Sequence, residues 1–182
     1  ERFVPQQEAC LSEYSGLIPG TIEVVDECRK RGYKIGSTSG YLPGMLAINQ
    51  ADGKKQGYKP DATFGAGDVP RGRPFGHMVL RNILELDVSP VQSVVKVDDT
   101  LTGIEEGLNA GGWGVGLAIS GNEVGMQLDD WNALSDDVKQ AHRNRIYPTM
   151  YQRGAHYVVD SIADLMPVFD DIEARLKRGE KP

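Results

Sequence analysis

The sequence has few cysteines, since only Cys10 and Cys28 occur among its 182 residues. They form neither a CxxC motif nor another spacing that is typical of a metal site. This scarcity argues against a disulfide-stabilised secreted fold and against a structural zinc site. We expect both thiols to be reduced, as is usual in a cytoplasmic protein.

Long hydrophobic runs and an excess of positive charge are also missing. No run of about 18 apolar residues occurs, so we expect no segment that spans a membrane. The formal net charge is -6, which argues against a nucleic-acid partner because a phosphate backbone attracts a basic face. The composition is otherwise ordinary, with 40% hydrophobic and 25% charged residues, and fits one globular domain with its own core.

Hydrophobic patterning predicts strands that alternate with helices. Short apolar segments such as "SVVKVDD" and "WGVGLAIS" predict strands, whereas segments such as "TLTGIEEGLNAG" predict helices. A long helix near the C-terminus should break at Pro148. The strands are apolar almost throughout, which is typical of a parallel sheet covered on both faces. The predicted fold class is therefore α/β, a Rossmann-like doubly wound parallel sheet.

Sheets of this kind bind ligands beyond the carboxyl ends of their strands, so we expect a ligand site in the loops that follow the strands. The first loop offers the hydroxyls of Thr38 and Ser39 and the backbone of Gly40 ahead of a helix, a combination that can bind phosphate. It could equally be a turn that caps this helix. A second loop offers Arg71 and Arg73, whose guanidinium groups suit phosphate oxygens unless both are solvated.

Two adjacent acids, Asp98 and Asp99, follow the apolar strand that ends near Val97. Adjacent side chains leave a strand in different directions, so we expect one acid to face the site and the other to cap the helix that begins near Thr100. A carboxylate beside a phosphate site is a usual ligand of Mg²⁺, although both acids could instead cap the helix. Hydroxyl, arginine and aspartate on successive strand ends together predict a Mg²⁺-dependent site that handles phosphoryl groups.

Several stretches of the sequence resemble the phosphonoacetaldehyde hydrolase (phosphonatase) family of the haloacid dehalogenase superfamily. The resemblance covers essentially the whole chain, and its matching stretches are "YKIGSTSGY", "QGYKPD", "DVPRGRP", "VVKVDDTLTGIEEGLNAGGWGVGLAISGNEVG" and "RGAHYVVDSIADL". "KIGSTSGY" and "KVDDT" followed by "GIEEGLNAG" are the diagnostic pieces. The opening "RFVPQQ" resembles the end of the helical cap that this family inserts into its core.

The resemblance implies roles for individual residues. Thr38 matches the hydroxyl that hydrogen-bonds the transferring phosphoryl group, with Ser39 and Gly40 beside it as further substrate-binding positions. Arg73 matches the cation that neutralises the phosphoryl oxygens. Asp99 matches the acid that helps to hold Mg²⁺. From the alternation of side chains along a strand, we expect Asp98 to turn toward the adjoining backbone or the residues behind the ion's ligands.

Other positions depart from the family pattern or stay without an assigned role. Gly67 and Gly103 stand where some relatives carry acids, which leaves the fine tuning of the site open. His77 follows the arginine loop and could contact substrate, although a cap or surface role is the simpler reading.

Two essential groups of the family have no match in this sequence. One is the nucleophilic aspartate on the first strand, and the other is the cap lysine that forms a Schiff base with the aldehyde. We therefore expect an N-terminal strand and most of the cap to be missing from these residues, and the 182-residue chain alone to be inactive. Residues 1–18 should be the end of the cap and its linker, and residues 19–182 the core domain.

The implied activity is hydrolysis of the carbon–phosphorus bond of phosphonoacetaldehyde to acetaldehyde and phosphate. It would proceed through Schiff-base and aspartyl-phosphate intermediates in a cytoplasmic homodimer that uses Mg²⁺ and needs no nucleic acid or membrane. Two alternatives stay open. One is another phosphatase or phosphomutase of the superfamily, and the other is a truncated homologue without catalysis.

Overall fold

The computed structural model describes residues 11–182, so Cys10 and the "RFVPQQ" segment lie outside the described residues. The chain divides into two compact units. The first contains residues up to Gly72 together with His77–Asp87, and the second contains Arg73–Gly76 and Val88–Pro182. The boundary predicted between residues 18 and 19 stays a prediction.

The first unit combines helices with a two-stranded parallel sheet. Its elements are α1 (Thr21–Lys30), β1 (Gly36–Ser39), α2 (Pro43–Lys55), β2 (Ala62–Gly65) and α3 (His77–Glu85), with short 3-10 turns at Ser12–Tyr14 and Ala66–Asp68. Strands β1 and β2 pair in a register that sets Thr38 opposite Phe64. Buried Asn82 of α3 donates to the Ser37 carbonyl at 3.1 Å, so α3 is fixed to the strand that carries Thr38.

The second unit is built on a three-stranded parallel sheet in the order β3-β4-β5. Its elements are β3 (Val95–Asp98), α4 (Leu101–Ala110), β4 (Trp113–Leu117), α5 (Leu128–Ala133), α6 (Asp136–Gln152), β5 (Tyr157–Val159) and α7 (Leu165–Lys177), with 3-10 turns at Val91–Ser93 and Ile162–Asp164. Central strand β4 is buried along most of its length, as the apolar "WGVGLAIS" segment predicts. All three strands therefore end at the same edge of the sheet.

Helix α6 continues through Pro148, so the predicted break is wrong. A proline removes one hydrogen bond within a helix. Ile146 and Met150 lie on either side of Pro148, and both are fully buried in the core of the second unit. Their packing holds both halves of the helix in place, which explains why the local preference for a break is overridden.

The α/β class with parallel sheets is confirmed, and each predicted strand and helix has a counterpart in the structure. Within residues 11–182 the five strands form one hydrogen-bonded sheet in each unit rather than one continuous sheet. Short helix α5 has no counterpart among the predicted elements. Among the described residues, no helix is both long enough and apolar enough to cross a membrane.

Candidate functional site

The hydroxyl loop of the first unit lies at the end of β1. Thr38 and Ser39 are the last two residues of this strand, and both are partly buried. The Ser39 hydroxyl accepts a hydrogen bond from the backbone N–H of Tyr41 at 3.1 Å, which forms a turn before α2. Gly40 is exposed, and a Cβ added to it would contact nothing within 4 Å. Ser39 therefore forms a turn, but the N-cap residue of α2 is Leu42 and no side-chain hydrogen bond caps this helix, so the capping alternative is not what the structure has.

Arg73 belongs to the second unit, where its guanidinium contacts the last residue of β3 and the N-cap residue of α4. Its Nη2 lies 2.8 Å from Oδ2 of Asp98, and its Nη1 lies 3.3 Å from Oγ1 of Thr100. The Arg73 side chain is 20% exposed, so it keeps some access to solvent while its head group is held in place. Arg71, by contrast, is exposed. The structure therefore separates the two arginines that the sequence offered.

Asp98 is nearly inaccessible, with a side chain that is 5% exposed. Its Oδ1 accepts hydrogen bonds from the backbone N–H of Thr100 at 2.9 Å and from the Thr100 hydroxyl at 2.7 Å. Burial alone would raise the pKa of the Asp98 carboxyl. The positive charges of Lys96 and Arg73, with the hydrogen bonds from Lys96 and Thr100, outweigh burial and hold this pKa below its usual range.

Neither acid caps α4, contrary to the expectation that one of them would. Thr100 is the N-cap residue, and its hydroxyl accepts a hydrogen bond from the backbone N–H of Gly103 at 3.0 Å. A threonine hydroxyl serves this purpose well, because it reaches the free N–H groups of the first turn. Asp98 fixes Thr100 in turn, so it supports the cap indirectly.

Two further charged residues complete a buried cluster with Arg73 and Asp98. Lys96 Nζ lies 2.9 Å from Asp98 Oδ2, and Glu106 Oε2 lies 3.3 Å from both Lys96 Nζ and Arg73 Nε. The side chains of Lys96 and Glu106 are 10% and 0% exposed. We call Arg73, Lys96, Asp98 and Glu106 the charge quartet.

Sequence reasoning missed Lys96 and Glu106, although a signal was present. Lys96 interrupts an otherwise apolar strand two residues before Asp98, and alternate residues of a strand share one side. Glu106 lies three residues after Gly103 on a helix, and this spacing places both on one face. A lysine in a buried strand requires an acidic partner, and Glu106 on the helix that follows the strand was a candidate for this partner.

Glycines on α4 make room for the charge quartet. A Cβ added to Gly103 would lie 2.0 Å from Cγ of Asp98, and one added to Gly107 would lie 2.3 Å from Cβ of Lys96. Both distances are far below any real contact, so the side chains of Asp98 and Lys96 occupy the space that helix residues would otherwise fill. The departure at Gly103 thus has a structural reason, because an acid at position 103 would overlap Asp98.

Asp99 points to a different neighbour from Asp98. Its Oδ2 accepts a hydrogen bond from the backbone N–H of Asn122 at 3.0 Å, and a Cβ added to Gly121 would lie 2.2 Å from its Cβ. Asp99 therefore packs against the loop after β4 and stays partly exposed. One accessible carboxylate fits Mg²⁺, which is commonly held by one or two carboxylates with water and substrate oxygens. Among residues 11–182, no group of three or more histidine, cysteine or acidic side chains could hold a metal by itself.

A second ion cluster follows β5 in the same unit. Oδ2 of Asp160 accepts hydrogen bonds from Nε of Arg143 at 2.9 Å and from its Nη2 at 2.6 Å. Oδ1 accepts from the same Nε at 3.1 Å and from the Tyr147 hydroxyl at 2.9 Å. The side chains of Arg143 and Asp160 are 33% and 28% exposed. Burial and the neighbouring Asp160 charge raise the pKa of Tyr147 above its ordinary value, so its hydroxyl keeps its proton. We call these three residues the Asp160 cluster.

Thr38 belongs to the first unit, whereas Arg73, Asp98 and Asp99 belong to the second. The assignment of all four to one site stays a prediction. Within the second unit, the structure brings Arg73 and Asp98 together and directs Asp99 elsewhere. This separation assigns the two adjacent acids different neighbours.

Comparison with known proteins identifies close relatives of the whole chain, although no protein-family model matches it. The chain is 44% identical over 180 residues to a phosphonoacetaldehyde hydrolase of Paraburkholderia xenovorans, covering 99% of this chain and 67% of the relative. It is 42% identical over 182 residues to the phosphonoacetaldehyde hydrolase of Bordetella pertussis, covering 100% of this chain and 66% of the relative. The chain thus spans about two thirds of the length of these relatives.

Solved structures agree with these relatives. A phosphonoacetaldehyde hydrolase-like protein from Oleispira antarctica matches with a TM-score of 0.96 at 50% identity, over 99% of this chain and 65% of that protein. A haloacid dehalogenase (HAD) family hydrolase from Deinococcus radiodurans, solved with bound phosphate and sodium, matches with a TM-score of 0.64 at 19% identity, over 86% of this chain and 60% of that protein. The second match shows the fold alone. The chain therefore belongs to the phosphonoacetaldehyde hydrolase family.

Proposed function

We propose that the protein serves the hydrolysis of phosphonoacetaldehyde to acetaldehyde and phosphate. The observation that carries this proposal is the 44% identity to a phosphonoacetaldehyde hydrolase over 99% of the chain. A guanidinium held by two buried acids beside the end of β3 supports it, because such a group is suited to phosphoryl oxygens.

In this proposal the described residues supply the electrostatic part of the reaction. Arg73 neutralises the charge on the phosphoryl oxygens, and the Thr38 hydroxyl donates a hydrogen bond to the same group, with Ser39 and Gly40 as neighbouring binding positions. Fixed donors of this kind stabilise charge that develops in a transition state. Asp98 positions Arg73 and does not contact the substrate.

The covalent steps require an aspartate and a lysine that have no match among residues 1–182. The aspartate would attack phosphorus while the carbon–phosphorus bond breaks, and the electron pair of this bond would pass to the iminium formed by the lysine and the aldehyde. Water would then release phosphate from the aspartate. The enamine left on the lysine would take a proton at the carbon that had carried phosphorus, and a second water would hydrolyse the resulting iminium to acetaldehyde and the free lysine. Dividing one difficult step into easier ones is the general benefit of covalent catalysis.

Asp99 is the proposed Mg²⁺ ligand of this chain. Its carboxylate is partly exposed and accepts a hydrogen bond at Oδ2 from the backbone N–H of Asn122, whereas Asp98 is paired with two cations. When bound, Mg²⁺ would screen the negative charges of carboxylate and phosphonate. Asp98 is thus left with a structural role that does not need the metal.

The kinetic tests use a protein that also supplies the nucleophilic aspartate and the Schiff-base lysine, because residues 1–182 alone are expected to be inactive. The arginine assignment is tested by Arg73→Lys, with Arg71→Lys as its matched control in the same loop. A lysine keeps the charge but loses the planar fork, so we expect kcat/KM for acetaldehyde release to fall by about tenfold or more. Arg71→Lys should stay close to the wild type. Equal values for Arg73→Lys and the wild type would remove Arg73 from the site.

The metal assignment is tested by Asp99→Asn against Asp98→Asn. We expect Asp99→Asn to raise the Mg²⁺ concentration that gives half-maximal activity by about tenfold or more, because one of few carboxylate ligands is lost. Asp98→Asn should change this concentration much less, whatever it does to stability. A larger shift for Asp98→Asn would show that the two acids have been assigned the wrong way round.

The substrate assignment is tested by borohydride reduction in the presence of phosphonoacetaldehyde. A covalent adduct on a lysine, located by mass spectrometry, would support the Schiff-base route. Release of phosphate from phosphate esters without any adduct would instead favour another phosphatase or a phosphomutase of the superfamily. We further propose a cytoplasmic homodimer, which light scattering would test for its oligomeric state.

A further inference from the structure

The charge quartet is arranged as a closed ring of alternating charges. Oδ2 of Asp98 lies 2.8 Å from Nη2 of Arg73 and 2.9 Å from Nζ of Lys96. Oε2 of Glu106 lies 3.3 Å from Nε of Arg73 and 3.3 Å from Nζ of Lys96. One oxygen of each acid therefore contacts both cations. Lys96 in this way competes with Arg73 for both carboxylates.

Burying four charges is not an efficient way to stabilise a fold. Removing charges from water carries a large desolvation cost, and well-packed hydrophobic residues often replace a buried ion pair without loss of stability. Lys96 and Glu106 are nevertheless 10% and 0% exposed in this structure. The quartet is therefore better explained by what it does to Arg73 than by its contribution to stability.

The formal charges of the quartet cancel. Arg73 and Lys96 contribute two positive charges, and Asp98 and Glu106 contribute two negative charges. Without Lys96, two buried acids would converge on Arg73, and the group would carry a net charge of about -1. An arginine surrounded in this way would attract an anion less strongly.

We propose that Lys96 is a positioning residue that keeps Arg73 effective as an anion-binding group, and that the negative charge of Glu106 balances the positive charge of Lys96. Asp98 and Glu106 pair with Lys96 as well as with Arg73. The two acids therefore orient the guanidinium, but their negative charges do not exceed the positive charge of the two cations. The inference rests on the proposed function, because it takes Arg73 to be the phosphoryl-binding cation. Neither Lys96 nor Glu106 contacts the substrate in this account.

The effect of charge on anion binding distinguishes this role from a merely structural one. Lys96→Met and Glu106→Gln each remove one corner of the ring and two of its four ion pairs. If the ring only held the fold together, both substitutions would weaken anion binding in the same direction. If its charge matters, the two substitutions should act in opposite directions.

Binding of inorganic phosphate, measured by titration calorimetry at fixed Mg²⁺ concentration, is the suitable experiment. Lys96→Met leaves a net charge of -1, and we expect the Kd for phosphate to rise by about tenfold or more. Glu106→Gln leaves a net charge of +1, so its Kd should equal or fall below the wild-type value. The double variant Lys96→Met/Glu106→Gln is neutral again and should return to within about threefold of the wild type.

Glu105→Gln provides the matched control. Glu105 is the adjacent residue on α4, and its carboxylate pairs at 2.6 Å with Arg153, whose side chain is 52% exposed. The control also removes one negative charge and one ion pair, but outside the quartet. We expect it to leave the Kd for phosphate unchanged, and thermal unfolding of each variant will show that the folded protein is being compared.

The outcomes separate this inference from the function on which it rests. If wild-type protein binds phosphate but Lys96→Met binds it equally well, the role of Lys96 is overturned while Arg73 keeps its assignment. The role is also overturned if Glu106→Gln weakens binding as much as Lys96→Met does, or if the double variant is weaker than both. If Arg73→Lys leaves phosphate binding unchanged as well, the proposed phosphoryl site itself is wrong.

Discussion

The charge quartet after β3 and the Asp160 cluster after β5 hold an aspartate in two different ways. Asp98 is 5% exposed and contacts two cations, which are themselves shared with a second buried acid. Asp160 is 28% exposed and is held by one arginine and one neutral hydroxyl. Both aspartates stand at the carboxyl end of a strand in the same sheet, so their difference lies in burial and not in position along the strand.

Burial sets the number of partners that a charge needs. A partly exposed carboxylate keeps solvation by water, and one bidentate arginine with a hydroxyl completes its hydrogen bonding. A buried carboxylate loses water and must be balanced within the protein. The second cation in turn calls for the second acid, which explains why four charges occur together around Asp98.

The largest effect should come from Asp98→Asn. It leaves Arg73 and Lys96 with one buried acid between them, and breaking a buried ion pair typically costs about 3–5 kcal/mol. Asp160→Asn breaks a partly exposed pair, for which about 1 kcal/mol is the usual scale. The free energy of unfolding in urea measures both losses. If Asp98→Asn and Asp160→Asn lower the free energy of unfolding equally, burial of the aspartate does not determine what its ion pairs contribute to stability.

The glycines that make room for the quartet offer a second and smaller test. Gly107→Ala forces a Cβ to within 2.3 Å of Cβ of Lys96, and we expect a loss of about 1–3 kcal/mol from overpacking. Gly53, in the last turn of α2, is the control because a Cβ there would meet its nearest atom at 3.5 Å. Gly53→Ala should be neutral or stabilise by up to about 1 kcal/mol, since alanine favours a helix over glycine.

Chemical denaturation of both glycine variants decides the matter. A Gly107→Ala variant as stable as the wild type would mean that Lys96 moves aside without cost. The close packing between α4 and β3 would then not be needed to hold the quartet.

The smallest effect concerns His156, a half-buried base that is kept neutral instead of being balanced by acids. Nδ1 of His156 accepts a hydrogen bond from the backbone N–H of Gly114 at 3.0 Å. Burial, followed by the positive charge of Arg175, holds the pKa of His156 below its ordinary value. The folded protein therefore binds this proton less readily than the unfolded chain does. The contribution of His156 to stability should be fully present above about pH 6.5 and should be lost as the pH drops below this value.

A series of thermal unfolding curves between pH 7.5 and pH 5.5, compared with the same series for His156→Asn, isolates this contribution. Asparagine can keep an acceptor near the same place but does not titrate. The variant should lose part of the wild-type decline in stability at low pH. Parallel curves for the two proteins would show that His156 is not the group responsible.

Much of the local structure could be predicted from the sequence because it depends on neighbouring residues. The apolar segments around Val97 and Val115 have the length and composition of buried strands, and the glycine after Ala110 marks the end of a helix. Pro148 shows the limit of such reasoning. Its local effect is real, but the burial of Ile146 and Met150 on both sides depends on residues far away in the sequence.

The α/β class, the family resemblance, the place of Asp98 and Asp99 at a strand end and the loop that carries Arg73 all follow from residues that are close together in the sequence. The partners of the two acids depend on packing, which joins Asp98 to Arg73, Lys96 and Glu106 and sets Asp99 against the loop at Asn122. Strand alternation separates two adjacent side chains, but it does not say what each one meets. The partners of a buried charge lie on other elements, so they become visible only when packing brings helix α4 onto strand β3.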